Sequence, residues 1–405
     1  MSLLDAQKRV LSGMRPTGRL HLGHYHGVLK NWIRLQHEFD CMFFVADWHA
    51  LTTHYEDPGV IEESVWNMVI DWLAAGVNPG SASLFIQSKV PEHAELHLLL
   101  SMITPLSWLE RVPTYKDQIA RMGNERDLAT YGFLGYPVLQ SADILIYKAG
   151  HVPVGADQVP HVEMTRELAR RFNHLYGREP GFEQAAEEAV RKLGRRNSRI
   201  YQELRKEYLE QGNAESLDKA RAIVSDQQNI SLGDRDRLFG YLEGGGKVIL
   251  PEPQALLTEA SVMPGLDGNK MSKSYGNEIS LRETPDSVDK KIRTMTTDPA
   301  RVRRTDPGDP DKCPVFKLHE IYSDDETRDW VRQGCTTAGI GCIDCKRPLI
   351  DAVLEEQQPM RERARQYEEN PDVVKSIVAE GCENARAIAR ATLEDVRGAM
   401  GLDYR

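Results

Sequence analysis

Three histidines stand close together near the start of the chain, in the stretch LHLGHYHG at positions 20–27. Imidazole is the side chain that most often binds metals in proteins, so His21, His24 and His26 could form a metal site. A helix would put His21 and His24 on one face and turn His26 away, whereas a strand would pair only His24 with His26. The alternative is that these side chains face solvent or phosphate, and the stretch alone leaves both interpretations open.

Four of the six cysteines lie within 33 residues, with the spacing Cys-x21-Cys-x6-Cys-x2-Cys. They are Cys313, Cys335, Cys342 and Cys345. In a cytosolic chain such a cluster indicates metal binding or catalysis rather than disulfides. All-cysteine ligation fits either Zn²⁺ or a [4Fe–4S] cluster. Four free cysteines in a helical domain is the remaining alternative.

A lysine pair lies in the stretch GLDGNKMSKSYGN at positions 265–277. Its glycines, serines and asparagines predict a flexible loop. Lys270 and Lys273 carry point charges on long stems, which suit them to follow moving phosphate oxygens. The alternative is an ordinary solvated basic loop.

The length and composition of the chain indicate what kind of protein it is. The chain has 405 residues, enough for two domains, and a net charge of 51 minus 61, or −10. This charge argues against a protein coated in nucleic acid but leaves room for a local basic surface. No apolar run approaches the roughly 20 residues that a membrane span needs, and the N-terminal stretch lacks the pattern of a secretion signal. We therefore expect a cytoplasmic protein with no membrane segment.

The order of elements predicts the fold. Strand-like runs such as DCMFFVA and ASLFIQS alternate with helical patterns such as SVWNMVIDWLAAG, which indicates an α/β protein with a parallel sheet. The stretch VLQSADILIYKAG and the following VPVGADQVPHVEMTRELARRFN read as a helix, a turn and another helix. Residues 177–247 are rich in Glu, Lys and Arg at helical spacing and predict a helical insertion, and the chain after 283 is mostly helical.

The histidine and lysine motifs together resemble those of the class I aminoacyl-tRNA synthetases. His21-Leu22-Gly23-His24 matches their HIGH motif, and Lys270-Met271-Ser272-Lys273-Ser274 matches their KMSKS motif. The stretches SGMRPTGRLHLGHY, ADWHALT, LGYPVLQSADIL and ARAIARATLEDVRGAMGL further resemble the tryptophanyl-tRNA synthetase family. This resemblance covers most of the chain except about 177–247.

The resemblance implies a function and an architecture. The family ligates L-tryptophan to its tRNA, using ATP with Mg²⁺ and a tryptophanyl-adenylate intermediate, and it forms homodimers. It implies a Rossmann-like catalytic domain at 1–282, interrupted by the insertion, and a helical anticodon-binding domain at 283–405. Tyrosyl-tRNA synthetase and a catalytically silent RNA-binding paralogue are the alternatives. SADILIY and the cysteines speak against the first, and the two intact motifs speak against the second.

The resemblance also assigns residues. His21, His24, Lys270 and Lys273 would be catalytic, and the histidines would meet phosphate at a helix N-terminus, where anions bind, so they need no metal. Asp143 would accept the indole N–H, a group that can only donate. The other tryptophan-binding residues would be Tyr136, Gln140, His49, Val152 and Val154. ATP would contact Arg15, Pro16, Thr17, Gly23, His24, Lys116, Gly155, Ala156, Asp157, Gln158, Val262, Met263, Lys270, Met271, Ser272, Lys273 and Ser274.

The sequence also allows predictions for the cysteine cluster and for a basic stretch that follows the lysine loop. A subset of tryptophanyl-tRNA synthetases resembles the cysteine spacing closely and holds a [4Fe–4S] cluster near the anticodon-binding end, which favours iron–sulfur over zinc at Cys313, Cys335, Cys342 and Cys345. The stretch KKIRTMTTDPARVRR at 290–304 has six basic residues against one acidic residue. It is a candidate surface for tRNA phosphates, with a solvated face as the alternative.

Overall fold

A five-stranded parallel sheet forms the centre of the molecule. The computed structural model describes residues 8–110, 130–177, 181–211, 213–242, 244–257 and 263–404. The strands are β1 (Arg9–Met14), β2 (Asp40–Val45), β3 (Ala82–Ile86), β4 (His151–Val154) and β5 (Gln254–Leu257). They stand in the order β3-β2-β1-β4-β5, with every pair parallel. The prediction of a parallel α/β fold is therefore confirmed.

The sheet's order explains where a site can form. The chain runs outward from β1 to β3 on one side and then returns to place β4 on the other side of β1. Ligands of open α/β sheets bind at the carboxyl ends of the strands where the order reverses, here between β1 and β4. Near this edge, Gly13 lets the ring of Phe44 pack closely against β1, because a Cβ atom there would lie 2.4 Å from that ring.

Helices cover both faces of the sheet. The helix predicted over SVWNMVIDWLAAG is present and ends at Gly76, whose φ of 117° is left-handed. The α-helices span Leu22–His24, Lys30–Leu35, Asp47–His54, Gly59–Ala75, Glu92–Ser101, Leu106–Leu109, Tyr131–Leu134, Tyr136–Ile146, Val159–Tyr176, Phe182–Lys192, Arg195–Gln211, Ala214–Ser225, Leu232–Leu242, Pro285–Thr294, Pro314–Tyr322, Asp325–Thr336, Cys342–Glu369 and Pro371–Ala399. A π-helical turn spans Tyr25–Leu29, and 3₁₀ turns span Gln87–Lys89, Ala156–Gln158, Lys273–Tyr275 and Pro310–Lys312.

One element differs from the sequence prediction. The sequence predicted only a turn between the helices that end and begin near positions 147 and 159, but β4 lies there. The strand has four residues and contains Pro153, a residue that is normally depleted in strands. It is stabilised by its neighbours rather than by its own pattern, since it pairs with β5 along its whole length and also with β1.

The helical stretch within 177–247 has its own small core. Its helices bury Tyr201, Leu238 and Leu242 in a cluster separate from the main core. The last helix, Pro371–Ala399, instead packs directly on the sheet, and Gly381 allows the contact because a Cβ there would lie 2.0 Å from the Leu84 carbonyl oxygen on β3. Within the described part of the chain, no helix is long and apolar enough to cross a membrane.

Candidate functional site

A cavity of about 530 Å³ opens at the carboxyl edge of β1 and β4. The histidine turn and the lysine loop lie at one end, and the helix Tyr136–Ile146 lies at the other. The predicted site residues that line it are Arg15, His21, Gly23, His24, His49, Tyr136, Gln140, Asp143, Val152, Val154, Gly155, Gln158, Met263 and Lys270. Pro16, Thr17, Ala156, Asp157, Met271, Ser272, Lys273 and Ser274 do not line it. The predicted residues Lys116 and Val262 lie outside the described residues.

The histidine turn has a defined protonation pattern. His21 caps the helix that begins at Leu22, and its Nδ1 accepts the Gly23 N–H at 3.1 Å. The Nδ1 of His24 accepts the His21 N–H at 3.3 Å, and the ring centroids are 3.8 Å apart. Because both Nδ1 atoms accept, each neutral ring carries its proton on Nε2. Each ring can therefore donate one hydrogen bond to a ligand.

Burial keeps both rings neutral. It lowers the pKa of His21 to about 4, with a further contribution from the charges of Lys273 and Lys270. It lowers the pKa of His24 to about 3, assisted by His21 and the same lysines. His26 is absent from the cavity wall and points toward the C-terminal helices, where its Nε2 lies 3.1 Å from the Tyr322 hydroxyl and 3.0 Å from Glu356.

The lysine loop is joined to the histidine turn by backbone hydrogen bonds. The Leu22 N–H donates to the Ile279 carbonyl at 3.0 Å, and the Leu281 N–H donates to the Leu20 carbonyl at 3.0 Å. Lys273 Nζ donates to the Thr17 carbonyl at 2.6 Å, across the entrance to the turn. The two motifs, about 250 residues apart in sequence, therefore form one structural unit.

A buried ion pair holds this unit in place. Asp71 is fully buried and accepts the Leu20 N–H at 2.7 Å and Arg282 Nε at 2.6 Å. Arg282 also contacts Glu368 and the side chain of Asn67. Neither member of the pair was predicted from the sequence, because they lie 211 residues apart and neither belongs to a motif.

The far end of the cavity is closed by Asp143. Its carboxylate accepts hydrogen bonds from His49 Nε2 at 2.7 Å, from His93 Nδ1 at 2.6 Å, and from Gln87 Nε2 at 2.8 and 2.9 Å. Burial acts to raise the pKa of Asp143, but the hydrogen bonds and charges of His49 and His93 outweigh it and lower the pKa to about 2. This end of the cavity therefore presents an ionised acceptor.

The remaining pocket residues come from one helix face and one strand. Tyr136, Gln140 and Asp143 follow one another at spacings of four and three, so they share a face of their helix. The Tyr136 ring stands edge-on to the His49 ring at 4.4 Å. The Gln140 Oε1 atom is buried and has no hydrogen-bond partner among the described residues.

Three residues behind the pocket were not found from the sequence. Gln87, His93 and Tyr147 are fully buried, and none of them lines the cavity. Gln87 directly follows β3, at the carboxyl edge where sites form in parallel sheets. That position, within the polar run QSKVPEH, was the available signal.

The four predicted ligand cysteines come from three segments. Cys313 precedes the helix Pro314–Tyr322, Cys335 lies near the end of the next helix, and Cys342 and Cys345 lie in the first turn of Cys342–Glu369. All four are free thiols. Burial raises the pKa of Cys345 to about 12, and electrostatic interaction with Cys313, Cys335 and Cys342 adds to this effect. Within the described ranges, no group of three or more His, Cys, Asp or Glu side chains is arranged to hold a single metal ion.

Two buried cations lie beside the cysteines. Arg301 is 9% exposed, and its Nη1 lies 3.7 Å from Cys335 Sγ. Lys346 is 2% exposed, and its Nζ donates to the carbonyls of Arg293 and Met295 at 2.7 Å. Neither has a carboxylate at ion-pair distance in the part of the chain that the structure describes. Of the basic residues at 290–304, Arg301 is therefore buried, whereas Lys290, Arg293, Arg303 and Arg304 are exposed.

Known proteins resemble the chain over its full length. The family model described as tRNA synthetases class I (W and Y) matches residues 5–189 and 225–355. A tryptophan–tRNA ligase of Ralstonia nicotianae is 68% identical over 397 residues, covering 98% of this chain and 99% of that protein. One from Thermotoga maritima is 44% identical, covering 98% and 100%. The crystal structure of tryptophanyl-tRNA synthetase from Campylobacter jejuni, complexed with ADP and tryptophan, matches with a TM-score of 0.72 at 27% identity, covering 97% and 100%.

Proposed function

This chain belongs to the class I tRNA synthetases of the tryptophan and tyrosine group, and on that premise we infer that it activates L-tryptophan with ATP and transfers it to tRNA. Its relatives at 68% and 44% identity are tryptophan–tRNA ligases, which favours tryptophan over tyrosine. The observation that carries the inference is the single cavity that joins the histidine turn and Lys270 to a pocket ending at Asp143.

Activation requires charge to move from the α-phosphate to leaving pyrophosphate. The tryptophan carboxylate attacks the α-phosphate of ATP, used with Mg²⁺, and the bond to the β-phosphate breaks. His21 and His24 each offer a neutral Nε2–H donor at the wall, and Lys270 and Lys273 supply positive charge from the loop. Such preorganised donors stabilise the developing charge without a general base. The adenylate's carbonyl is then attacked by a ribose hydroxyl of the tRNA, which releases AMP.

Tryptophan selection would take place at the other end. We propose that Tyr136, Gln140, Val152 and Val154 enclose the indole ring, with His49 beside it, and that Asp143 accepts the indole N–H. A phenylalanine side chain would leave a buried carboxylate without this partner. A site built around a specific hydrogen bond can reject an analogue lacking it by about 10⁴-fold.

Pyrophosphate exchange with each of the twenty amino acids tests the function. We expect exchange with tryptophan and none with tyrosine. Omission of ATP or substitution of GTP gives the baseline, and a Lys375→Ala variant, which changes an exposed lysine far from the cavity, is the protein control. Equal exchange with tyrosine would overturn the assignment to tryptophan.

We propose that Cys313, Cys335, Cys342 and Cys345 hold a [4Fe–4S] cluster, with Zn²⁺ as the alternative. Four thiolates around either centre leave a net charge of about −2. A buried cation needs a counter-charge, and Arg301 and Lys346 would find it there. A cluster is also wider than one ion and suits ligands from separate segments, as Cys313 and Cys335 are. The cluster would tie these segments to the start of the helix Cys342–Glu369.

Iron, sulfide and zinc analysis of protein purified without oxygen tests this proposal. We expect the protein to be brown and to absorb at about 400 nm, because of charge transfer between thiolate and iron. Colourless protein with one equivalent of zinc and no iron would overturn the cluster and leave the synthetase function standing.

The remaining features of the enzyme follow the family. We propose a cytoplasmic homodimer, with a catalytic domain at 1–282, the insertion at about 177–247 and an anticodon-binding domain at 283–405. Support for the dimer comes from large apolar side chains that are at least half exposed, among them Leu98, Met102, Leu106 and Tyr131, which lie close together in sequence on either side of the undescribed residues 111–129. Sedimentation of wild type should give the dimer mass, and Leu106→Glu should shift it toward the monomer. A monomeric wild type would contradict the proposal.

A further inference from the structure

The carboxylate of Asp143 stands at the boundary between the cavity and the core. On the cavity side it meets His49, which itself lines the wall. On the core side it meets His93 and Gln87, which do not. Oδ1 is bonded by His93 and Gln87, whereas Oδ2 is bonded by His49 and Gln87. Gln87 bridges both oxygens, so it is the two histidines that distinguish them: His93 bonds Oδ1 from the core side, and His49 bonds Oδ2 from the cavity side.

His93 is itself fixed by a second buried group. Its Nδ1 donates to Asp143, and its Nε2 lies 2.6 Å from the hydroxyl of Tyr147. An ionised carboxylate can only accept, so Nδ1 carries a proton and donates it to Asp143, while the Tyr147 hydroxyl holds the Nε2 side of the ring. Burial raises the pKa of Tyr147 well above its usual value, with the charge of Asp143 adding to the effect, so its hydroxyl keeps its proton. Packing against Phe85 fixes both rings, at centroid distances of 6.3 Å from His93 and 5.4 Å from Tyr147.

This chain of donors removes the carboxylate's freedom to turn. With Oδ1 bound on the core side, Oδ2 is the oxygen left to the cavity side, where His49 occupies part of it. Carboxylate oxygens accept more than one hydrogen bond, so an indole N–H can join or replace His49 there. Without His93, the carboxylate could rotate or take up a proton. A protonated carboxyl group would be a weaker acceptor for the indole N–H than an ionised one.

We propose that His93, oriented by Tyr147, is a positioning residue that makes the enzyme demand an indole N–H, because it holds Asp143 ionised with Oδ2 toward the substrate. The inference rests on the proposed activation of tryptophan and extends it to residues outside the pocket wall. If the inference holds, replacing His93 should lower the selectivity for substrates with an indole N–H and not only the activity.

The experiment compares two substrates in pyrophosphate exchange. One is tryptophan, and the other is benzothienylalanine, in which sulfur replaces the indole N–H at nearly the same size. The quantity measured is the ratio of their kcat/KM values. The variants are His93→Leu, His93→Asn, whose amide restores a donor near the Nδ1 position, and Tyr147→Phe. Lys375→Ala, which changes an exposed lysine far from the cavity, is the control.

We expect His93→Leu to lower the ratio about tenfold to a hundredfold, through a raised KM for tryptophan, since hydrogen bonds to charged groups contribute about 1.5–3 kcal/mol. His93→Asn should keep most of the selectivity, Tyr147→Phe should lose part of it, and Lys375→Ala should leave the ratio unchanged. If His93→Leu does not fold, Tyr147→Phe carries the test, because it keeps the ring volume.

The outcomes separate the inference from the function on which it rests. A wild type that activates tryptophan selectively, with a ratio unchanged in His93→Leu and Tyr147→Phe, overturns the positioning role alone. A fall in kcat/KM by the same factor for both substrates would likewise show that His93 is only structural. A wild type that does not activate tryptophan at all would instead overturn the proposed function.

Discussion

Replacing Lys273 by alanine should slow tryptophan activation without weakening tryptophan binding. Lys273 Nζ donates to the neutral Thr17 carbonyl at 2.6 Å, and to reach phosphate it must exchange this bond for a charge-assisted one. A neutral hydrogen bond contributes about 1 kcal/mol, whereas a preorganised donor to transition-state charge contributes about 3–4 kcal/mol. The difference of about 2–3 kcal/mol should therefore lower the activation rate by about two decades.

Single-turnover formation of tryptophanyl-adenylate measures this rate directly, and calorimetry gives the tryptophan affinity. The affinity should change little, because Lys273 does not line the cavity. Lys375→Ala, which removes an equal charge from an exposed helix position, is the matched control. If Lys273→Ala activates tryptophan within about threefold of wild type, a contribution on the scale of a transition-state donor is ruled out.

Three other substitutions test separate parts of the molecule. Asp143→Ala should weaken the binding of tryptophan more than that of N-methyl-indole tryptophan, which cannot donate, and calorimetry with both ligands would expose equal losses. Cys342→Ser should bleach the colour of anaerobic protein and lower tRNA charging more than pyrophosphate exchange; equal losses in the two assays would speak against a local role. His24 has a folded pKa of about 3, below its unfolded value of about 6.5, so the stability from its neutral form is present above pH 6.5 and is lost as the pH falls. The melting temperature of His24→Asn relative to wild type should therefore rise between about pH 7 and pH 5, and a constant difference would contradict the burial of a neutral ring.

The parts of the site that could be predicted are those encoded in contiguous motifs. The histidine turn and the lysine loop each place several functional groups within five residues, so their chemistry can be predicted from the sequence alone. The support of Asp143 is different, because His93 and Gln87 come from the segment after β3 and lie 50 and 56 residues away. Asp71 and Arg282 likewise become partners only through packing. Short strands are hard to predict from sequence for a related reason. The four residues of β4 are too few to show a strand pattern, and the strand forms because its neighbours pair with it.

The helix Cys342–Glu369 explains why damage at the cysteines should spare activation. Its first turn holds Cys342 and Cys345, while its second half supports the motifs: Gln357 donates to the Ser280 carbonyl at 2.7 Å and Glu368 contacts Arg282. Pro348 and Pro359 lie inside this helix. A proline removes a backbone donor from the helical ladder, so the hydrogen bonds between the turn that carries the cysteines and the rest of the helix are fewer at Pro348. Loosening at Cys342 can end near Pro348, and the contacts that hold the histidine turn and the lysine loop then remain in place.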